Sequence, residues 1–569
     1  MPRRRAHAPL RLAQLLAVAA GCGNDGPATS ASSSSTDTST SNTSTLPTTG
    51  TSSEQPSATT SSGHTTDSTG ASSISSTSTS TDATTTSALT TSTDSTTGVS
   101  TTGTSTGDVS TTGTSTGESL TFESTTATEE DAVCVTPTDS DTAADPVLWT
   151  RSYGIPDISL TTGEVTVAPD GAVTTSLTFR GELDLGDGVI DTQSNRYYAL
   201  ARHTPGGEFK WSAHIATVKV GDFLSDIERA AMAVDCAGNV IVGGSFIGRL
   251  VVQNQILNAV PGNEIDGDII YATEDIFLMK FGPDGVRHWA RRFGDEQQQR
   301  IHDIVVQTDG TIVVAGASKG VLNLGGAPIV SDNYVGLLAA FDPGGALVWQ
   351  RTYTSAYDVA VQGLSIGPDD IMSVWGHAGD DTDFGGGNVA FAGDPTFIAQ
   401  FEPNGVHRWS TRFFDKKHEP YRVGTDAAHG AVYSGDISLD HFVARYDANG
   451  QLAWNHDIIQ GNSNVSAYAL TVDDQIVLGG SLRGTHDFGG GPLITPPNET
   501  RPYLARYDLA GNHLASTIFT GDSAVFTSVD RGPDGELALL GRFVGTLDLG
   551  DGLLKSVGKT DLFIHRAPP

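Results

Sequence analysis

Beyond about residue 130 the chain is a succession of short apolar and alternating runs, each bounded by Gly, Pro, Asp or Asn. "DIVVQT" passes through Asp309-Gly310 into "TIVVAG", and "VGLLAAF" (335–341) passes through "DPGG" into "ALVWQRTY". The runs are rich in β-branched and aromatic residues, and no sustained 3.6-residue period interrupts them. Proline fixes φ and glycine permits positive φ, as tight turns require. The pattern therefore predicts strands joined into hairpins and no long helix.

The hairpins recur. Six of the seven tryptophans share one setting: "PVLWTRSY" (Trp149), "PGGEFKWSAHI" (Trp211), "PDGVRHWARRF" (Trp289), "PGGALVWQRTY" (Trp349), "PNGVHRWSTRF" (Trp409) and "ANGQLAWNHDI" (Trp454). A seventh copy, "LAGNHLASTIF", carries Ala515 in the tryptophan's place. The spacing is about 60 residues, longer between Trp211 and Trp289 and shorter between Trp409 and Trp454, so a repeat architecture is read first. A second hairpin recurs around "APDG" (168–171), "DCAGN" (235–239) and "GPDG" (532–535). Two hairpins per unit, seven times over, predict an all-β, seven-bladed β-propeller with four-stranded antiparallel blades. The last strand, "DLFIHR", has no tryptophan strand after it, and the first, "LWTRSY", has no partner before it. The N-terminal strand is expected to complete the last blade and close the ring, removing two exposed edges.

The units resemble the propeller repeats of secreted and lipid-anchored bacterial proteins. The resemblance spans roughly residues 147 to 566, on the F-x-P-x-G…W hairpin and a G-x-L-D-L-G-x-G segment. It implies the architecture and no particular activity, because this fold hosts many functions.

Composition adds the setting. The leader "MPRRRAHAPLRLAQLLAVAAGC" has a basic start and a short apolar stretch ending in small residues at Cys22. It resembles a bacterial lipoprotein signal, which is cleaved before a cysteine that is then acylated, although Ala19 stands where leucine is usual. A secretory signal is the other reading. Residues 22–130 are dominated by Ser, Thr and Gly, with the tandem decapeptides "TTGTSTGDVS" and "TTGTSTGESL". Such a segment cannot bury enough surface to offset its ordering entropy, so a disordered stalk is expected. A stalk behind a "GC" leader is similar to that of myxobacterial lipoproteins. The expected organisation is a signal over 1–21, the linker over 22–130, a lead-in over 131–146 and the propeller over 147–569. A formal net charge of −33 argues against a nucleic-acid partner. If Cys22 carries lipid, Cys134 and Cys236 remain as a pair able to form a disulfide in an oxidising compartment.

Candidate chemistry is sparse. "FVGTLDLGDGLL" (543–554) places Asp548 and Asp551 among glycines in the manner of a cation loop. Its counterparts carry Asp184, Asn323, Asp383 and Asp487 at the first acidic position but Val251 in one copy. The second acidic position is Asp187 and Asp551, replaced elsewhere by Asn254, Gly326, Gly386 and Gly490. Calcium needs several oxygen ligands held together, so a turn whose Asp or Asn accepts backbone N–H groups explains the column better. The long unit holds "NEIDGDIIYATED" (263–275), where Asp266, Asp268, Glu274 and Asp275 are candidate calcium ligands without EF-hand spacing. Trp375 lies outside the repeated position and is the candidate for stacking on a sugar. None of the familiar catalytic motifs occurs. The expectation is a lipid-anchored propeller at the outer membrane or cell surface, or a secreted one, acting as a binding or scaffolding module, with a protein or a glycan as the candidate ligand. An extracellular enzyme acting on glycan or another polymer, and a structural display protein, are the alternatives.

Overall fold

The turn-bounded runs form seven four-stranded antiparallel sheets arranged as blades around a central channel. The computed structural model describes residues 148–568 apart from 155–158, 194, 220–224, 262–263, 266–267, 270–272, 380, 391–395, 414–417, 438–439 and 459–463. Blade 1 comprises, from the channel outward, Ser159–Val167, Val173–Arg180, Tyr197–His203 and Phe209–Thr217. Blades 2 to 6 repeat it from inner strands Asp226–Val234, Gln299–Val306, Ala360–Ile366, His418–Thr425 and Asn464–Val472. Blade 7 takes Thr520–Arg531, Leu537–Asp548 and Asp561–Ala567 from the end of the chain and its outer strand, Trp149–Tyr153, from the beginning. That strand pairs antiparallel with Asp561–Ala567, from Trp149 opposite Arg566 to Tyr153 opposite Leu562. The ring closes as the unmatched strands require.

Alternation along each strand sends side chains to both faces of a blade, where they meet the neighbouring blades. Trp211, Ala213 and Ile215 of blade 1 pack with Met232, Val242, Phe277 and Phe281 of blade 2 in one buried cluster. Each such Leu, Phe or Met contributes roughly 1.5–3 kcal/mol on burial.

The repeated tryptophans have a specific task at the rim. Each lies on an outer strand and reaches the turn between the third and outer strands of the next blade. Trp149 Nε1 donates to the Pro205 carbonyl (3.0 Å), Trp211 to Pro283 (2.9 Å), Trp289 to Pro343 (3.1 Å) and Trp454 to Leu509 (3.0 Å). The indole lies against the turn glycine: a Cβ on Gly207, whose φ is +80°, would fall 2.5 Å from the Trp149 ring. Glycine is needed there for both its φ and its missing side chain. Ala515 is now explained. Blade 6 faces blade 7, whose third and outer strands come from opposite ends of the chain, so no turn is present for an indole to cover.

The G-x-L-D-L-G-x-G segment proves to be a complete small hairpin between the second and third strands. Glu182–Asp184 pairs with Val189–Asp191, and Thr485–Asp487 with Pro492–Ile494. Blade 5 runs from Ala431–Ile437 to Asp440–Tyr446 without one, which accounts for the short unit. Buried ion pairs join third strands to the first turns of their blades: Lys280–Asp235 (3.4 Å), Arg445–Asp426 (2.7 Å) and Arg566–Glu536 (2.5 Å).

Candidate functional site

Inner strands are the free edges of the sheets, so their channel-facing N–H groups have no partner within their own blade. Side chains of the preceding blade supply it. Glu164 of blade 1 accepts the Met232 N–H of blade 2 (3.0 Å), and Asp303 of blade 3 accepts Leu364 N–H of blade 4 (2.8 Å). Asp530 and Ser528 of blade 7 accept Val167 N–H (2.8 Å) and Val165 N–H (3.2 Å) of blade 1. The His302 ring Nδ1 lies 2.7 Å from the Val361 carbonyl, so Nδ1 carries the proton.

Every inner strand also shifts register at least once, as between Ile227 and Arg229, Ile301 and Asp303, or Pro420 and Arg422. A bulge re-aims side chains. Glu228, Arg229 and Arg422 are exposed, whereas Glu164 and Asp303 are partly buried. Charges from separate blades therefore reach one channel. Burial pushes the Glu164 carboxyl up to about 7, helped by the negative charge of Asp303 and opposed by Arg422 and the Met232 N–H. Burial raises Asp303 to about 6, against the hydrogen bonds from Leu364 and Ile304 and the charge of Arg422. Arg422 of blade 5 thus lies within electrostatic reach of carboxylates from blades 1 and 3. Burial, then the charge of Arg229, holds His302 down to about 3, so its ring is neutral.

A second polar group flanks this one. Glu274 accepts from Arg300 Nη2 (2.5 Å) and Nε (2.8 Å) and from the Ser245 hydroxyl (3.1 Å), and Arg300 lies 5.4 Å over the Tyr334 ring. Asp275, the next residue, accepts from Arg292 (2.5 Å) and from Val260 N–H (2.9 Å) instead. Glu274 and Asp275 are thus each committed to an arginine. Asp266 is outside the described residues, Asp268 lies in the strand Asp268–Ile269, and no group of three or more His, Cys, Asp or Glu able to hold a metal occurs among the described residues. Trp375 is 8% exposed, packed with Ile398, Phe413 and Tyr433, and does not present a free ring face. Cys236 is disulfide-bonded, while Cys22 and Cys134 lie outside the described residues.

The small hairpins carry turn chemistry. Asp184 accepts Gly186 and Gly188 N–H (2.9 and 3.2 Å), and Asp383 and Asp487 do the same in their blades. These backbone hydrogen bonds hold the Asp383 and Asp487 carboxyls below the usual carboxylate range. At the second acidic position Asp187 accepts the Ser212 hydroxyl (2.6 Å) and Asp551 the Thr150 hydroxyl (2.5 Å), each from the residue after an outer-strand tryptophan.

The channel charges were not singled out by sequence. Their signal was a charge inside an otherwise apolar first strand, as in "GEVTV", "DIERAAMAV" and "RIHDIVV". Which charges meet depends on the closure of the ring.

No protein family matches the chain, and no curated protein does. Among solved structures it is similar to a protein from Lactobacillus plantarum (TM-score 0.34, 10% identity, 68% of this chain and 98% of that one). It is similar also to Sqt1 from Chaetomium thermophilum (TM-score 0.34, 11% identity, 69% and 97%) and to virginiamycin B lyase from Staphylococcus aureus (TM-score 0.33, 9% identity, 72% and 99%). Likeness this remote says nothing about function. The fold stands on its own hydrogen-bonded blades.

Proposed function

We propose that the chain is a lipid-anchored binding module of the cell envelope whose ligand enters the propeller channel. The observation that carries this is the placement of Glu164, Arg229, Asp303 and Arg422 on the inner strands of blades 1, 2, 3 and 5, which line one channel. Loops and edges contributed by several rigid elements are where ligand sites form. In this reading Cys22 is acylated after removal of residues 1–21, residues 22–130 hold the propeller off the membrane, and Cys134 pairs with Cys236.

The test is binding of the full chain to a panel of glycans, peptides and envelope fractions, repeated with Arg422→Glu and Asp303→Asn. A ligand whose affinity falls in both variants supports the reading; a panel without a ligand overturns it. Fatty-acid labelling that persists in Cys22→Ala removes the anchor. A second reading, an enzyme acting on extracellular glycan or another polymer, draws on the carboxyls of Glu164 and Asp303, which titrate at about 7 and about 6. Values near the working pH suit acid–base exchange. Polysaccharide turnover that vanishes in Glu164→Gln favours it, and no turnover across the panel sinks it.

A further inference from the structure

We propose that the disulfide of Cys236 carries any pull on the stalk past the ring-closing strand and into blade 2. The proposal rests on the reading of residues 22–130 as a membrane stalk and gives that stalk its mechanical junction with the propeller.

The ring is closed by a short element. Five residue pairs, from Trp149–Arg566 to Tyr153–Leu562, join the outer strand of blade 7 to its sheet. Its side-chain bonds cluster at the end where the stalk arrives. Trp149 Nε1 donates to the Pro205 carbonyl (3.0 Å), Thr150 to Asp551 (2.5 Å) and Arg151 Nε to the Gly207 carbonyl (2.9 Å). A pull on the chain before Trp149 loads the pairs one after another, beginning with Trp149–Arg566. Loss of the strand would leave Asp561–Ala567 as a free edge and open the ring.

The attachment at Cys236 is of a different kind. It lies in the first turn of blade 2, where buried Asp235 accepts from Ala237 N–H (3.0 Å), Asn239 N–H (2.8 Å) and the Asn239 amide (2.8 Å). Asp235 also pairs with buried Lys280 of the third strand (3.4 Å), and fully buried Arg202 of blade 1 donates to the Gly238 carbonyl of the turn. Force arriving at Cys236 is therefore shared by two blades. Contacts run from this turn to the closing strand along one end of the ring. Arg202 meets Asp170 in the first turn of blade 1 (3.3 Å), and Arg566, opposite Trp149, reaches the Gly171 and Pro205 carbonyls (3.4 and 2.5 Å).

The cysteine count decides the route. Cys236 is disulfide-bonded, and the other two cysteines of the chain, Cys22 and Cys134, both precede Trp149. With Cys22 acylated, the partner is Cys134. Residues 135–148 can extend to about 45 Å, whereas packed sheets stand about 10 Å apart, so they can pass from blade 7 to blade 2, two blades on. Tension on the stalk then enters blade 2 through the bond, and the chain leading to Trp149 carries none of it.

Peptide mapping of the unreduced full chain should give a Cys134–Cys236 cross-link; a Cys22–Cys236 cross-link, or none, overturns the proposal. Magnetic tweezers then test the mechanics, with one handle at the N-terminus and the other on a non-natural residue replacing exposed Asn388 in the blade 4 hairpin. The oxidised chain should open in one step. Cys134→Ser should add an earlier step at roughly half that force or less. Dithiothreitol, which gives two electrons and two protons to the bond and closes to its own disulfide, should do the same to the wild type. Trp149→Ala should lower the early step further and leave the oxidised trace unchanged. A first step at the same force in the oxidised chain and in Cys134→Ser, or an oxidised first step that Trp149→Ala lowers, overturns the proposal. Either failure leaves the ligand reading standing, because binding to the panel of glycans and peptides is measured without force.

Discussion

The outer rim and the channel of this ring are built from the same repeat and have diverged in opposite ways. At the rim, Trp149, Trp211, Trp289 and Trp454 each donate to the corresponding turn carbonyl of the next blade. The single alanine stands where that turn is absent. In the channel, the position just after a register shift is Arg229, Asp303, Gly363 and Arg422 in blades 2 to 5 and Ser528 in blade 7. The rim repeats one packing arrangement, since Trp349 and Trp409 also lie against the turn glycines Gly405 and Gly450 of the next blade. Trp409 Nε1, however, donates to Gln400 of its own blade (3.1 Å). The channel has only to satisfy edge N–H groups, a requirement that a carboxylate or a serine meets equally well, so its remaining groups are free to differ.

If the rim is the structural half, the largest effect should come from it. Trp211→Ala removes a nearly buried indole and its hydrogen bond to Pro283, with little freedom for the turn above to collapse. A loss of roughly 3–5 kcal/mol is expected, read from the midpoint and slope of chemical denaturation. Ala515→Trp, by contrast, should stabilise little, because no turn waits to receive the ring. A gain there comparable to the loss at Trp211 would break the explanation of the exception.

The channel predicts a pH signature instead. Glu164 has its carboxyl pushed up to about 7 in the fold, so the folded chain holds a proton that the unfolded chain has already released. Its contribution is fully present below the unfolded value near 4.5 and is lost as pH rises through about 7. Glu164→Gln keeps an acceptor for Met232 N–H and removes the titration. The variant should gain on the wild type between these limits, on the order of 2–3 kcal/mol at most. His203 works the other way. Burial, then Arg151, holds it down to about 4, so its contribution is present above its ordinary 6.5 and is lost as pH falls toward about 4. Stability curves of wild type and Glu164→Gln that run parallel from pH 4 to 8 would show that the channel carboxyl is solvated like a surface one.

The two halves were unequally legible in the sequence. The "P-x-G…W" hairpin repeats at a fixed phase, and the unmatched first and last strands fix the closure, so the seven blades follow from local patterns and a count. Glu164 and Arg422, by contrast, are 258 residues apart (422−164) and come within electrostatic reach only because blades 1 and 5 face one channel. Nothing local distinguishes them from solvated charges on a strand. The acidic run before Asp275 drew attention as a metal site by density of charge alone. The fold gives Glu274, just before the third strand of blade 2, to Arg300 and gives Asp275, the first residue of that strand, to Arg292.

The smallest effect tests the stretch that looked most like chemistry, "FVGTLDLGDGLL". Its Asp548 accepts Gly550 N–H (2.9 Å) and its Asp551 receives the Thr150 hydroxyl (2.5 Å), which itself lies 2.8 Å from His565 Nδ1. Asp551 therefore joins the small hairpin of blade 7 to the strand that closes the ring. The contact is exposed, so Asp551→Ala should cost less than about 1 kcal/mol in denaturation at neutral pH. Calcium should leave the melting temperature of wild type and variant alike, since a single carboxylate and a hydroxyl make no cation site. A calcium-dependent rise in the melting temperature that Asp551→Ala abolishes would return this hairpin to the chemistry of the molecule. It would also show that the rim and its appendages are not the purely structural half.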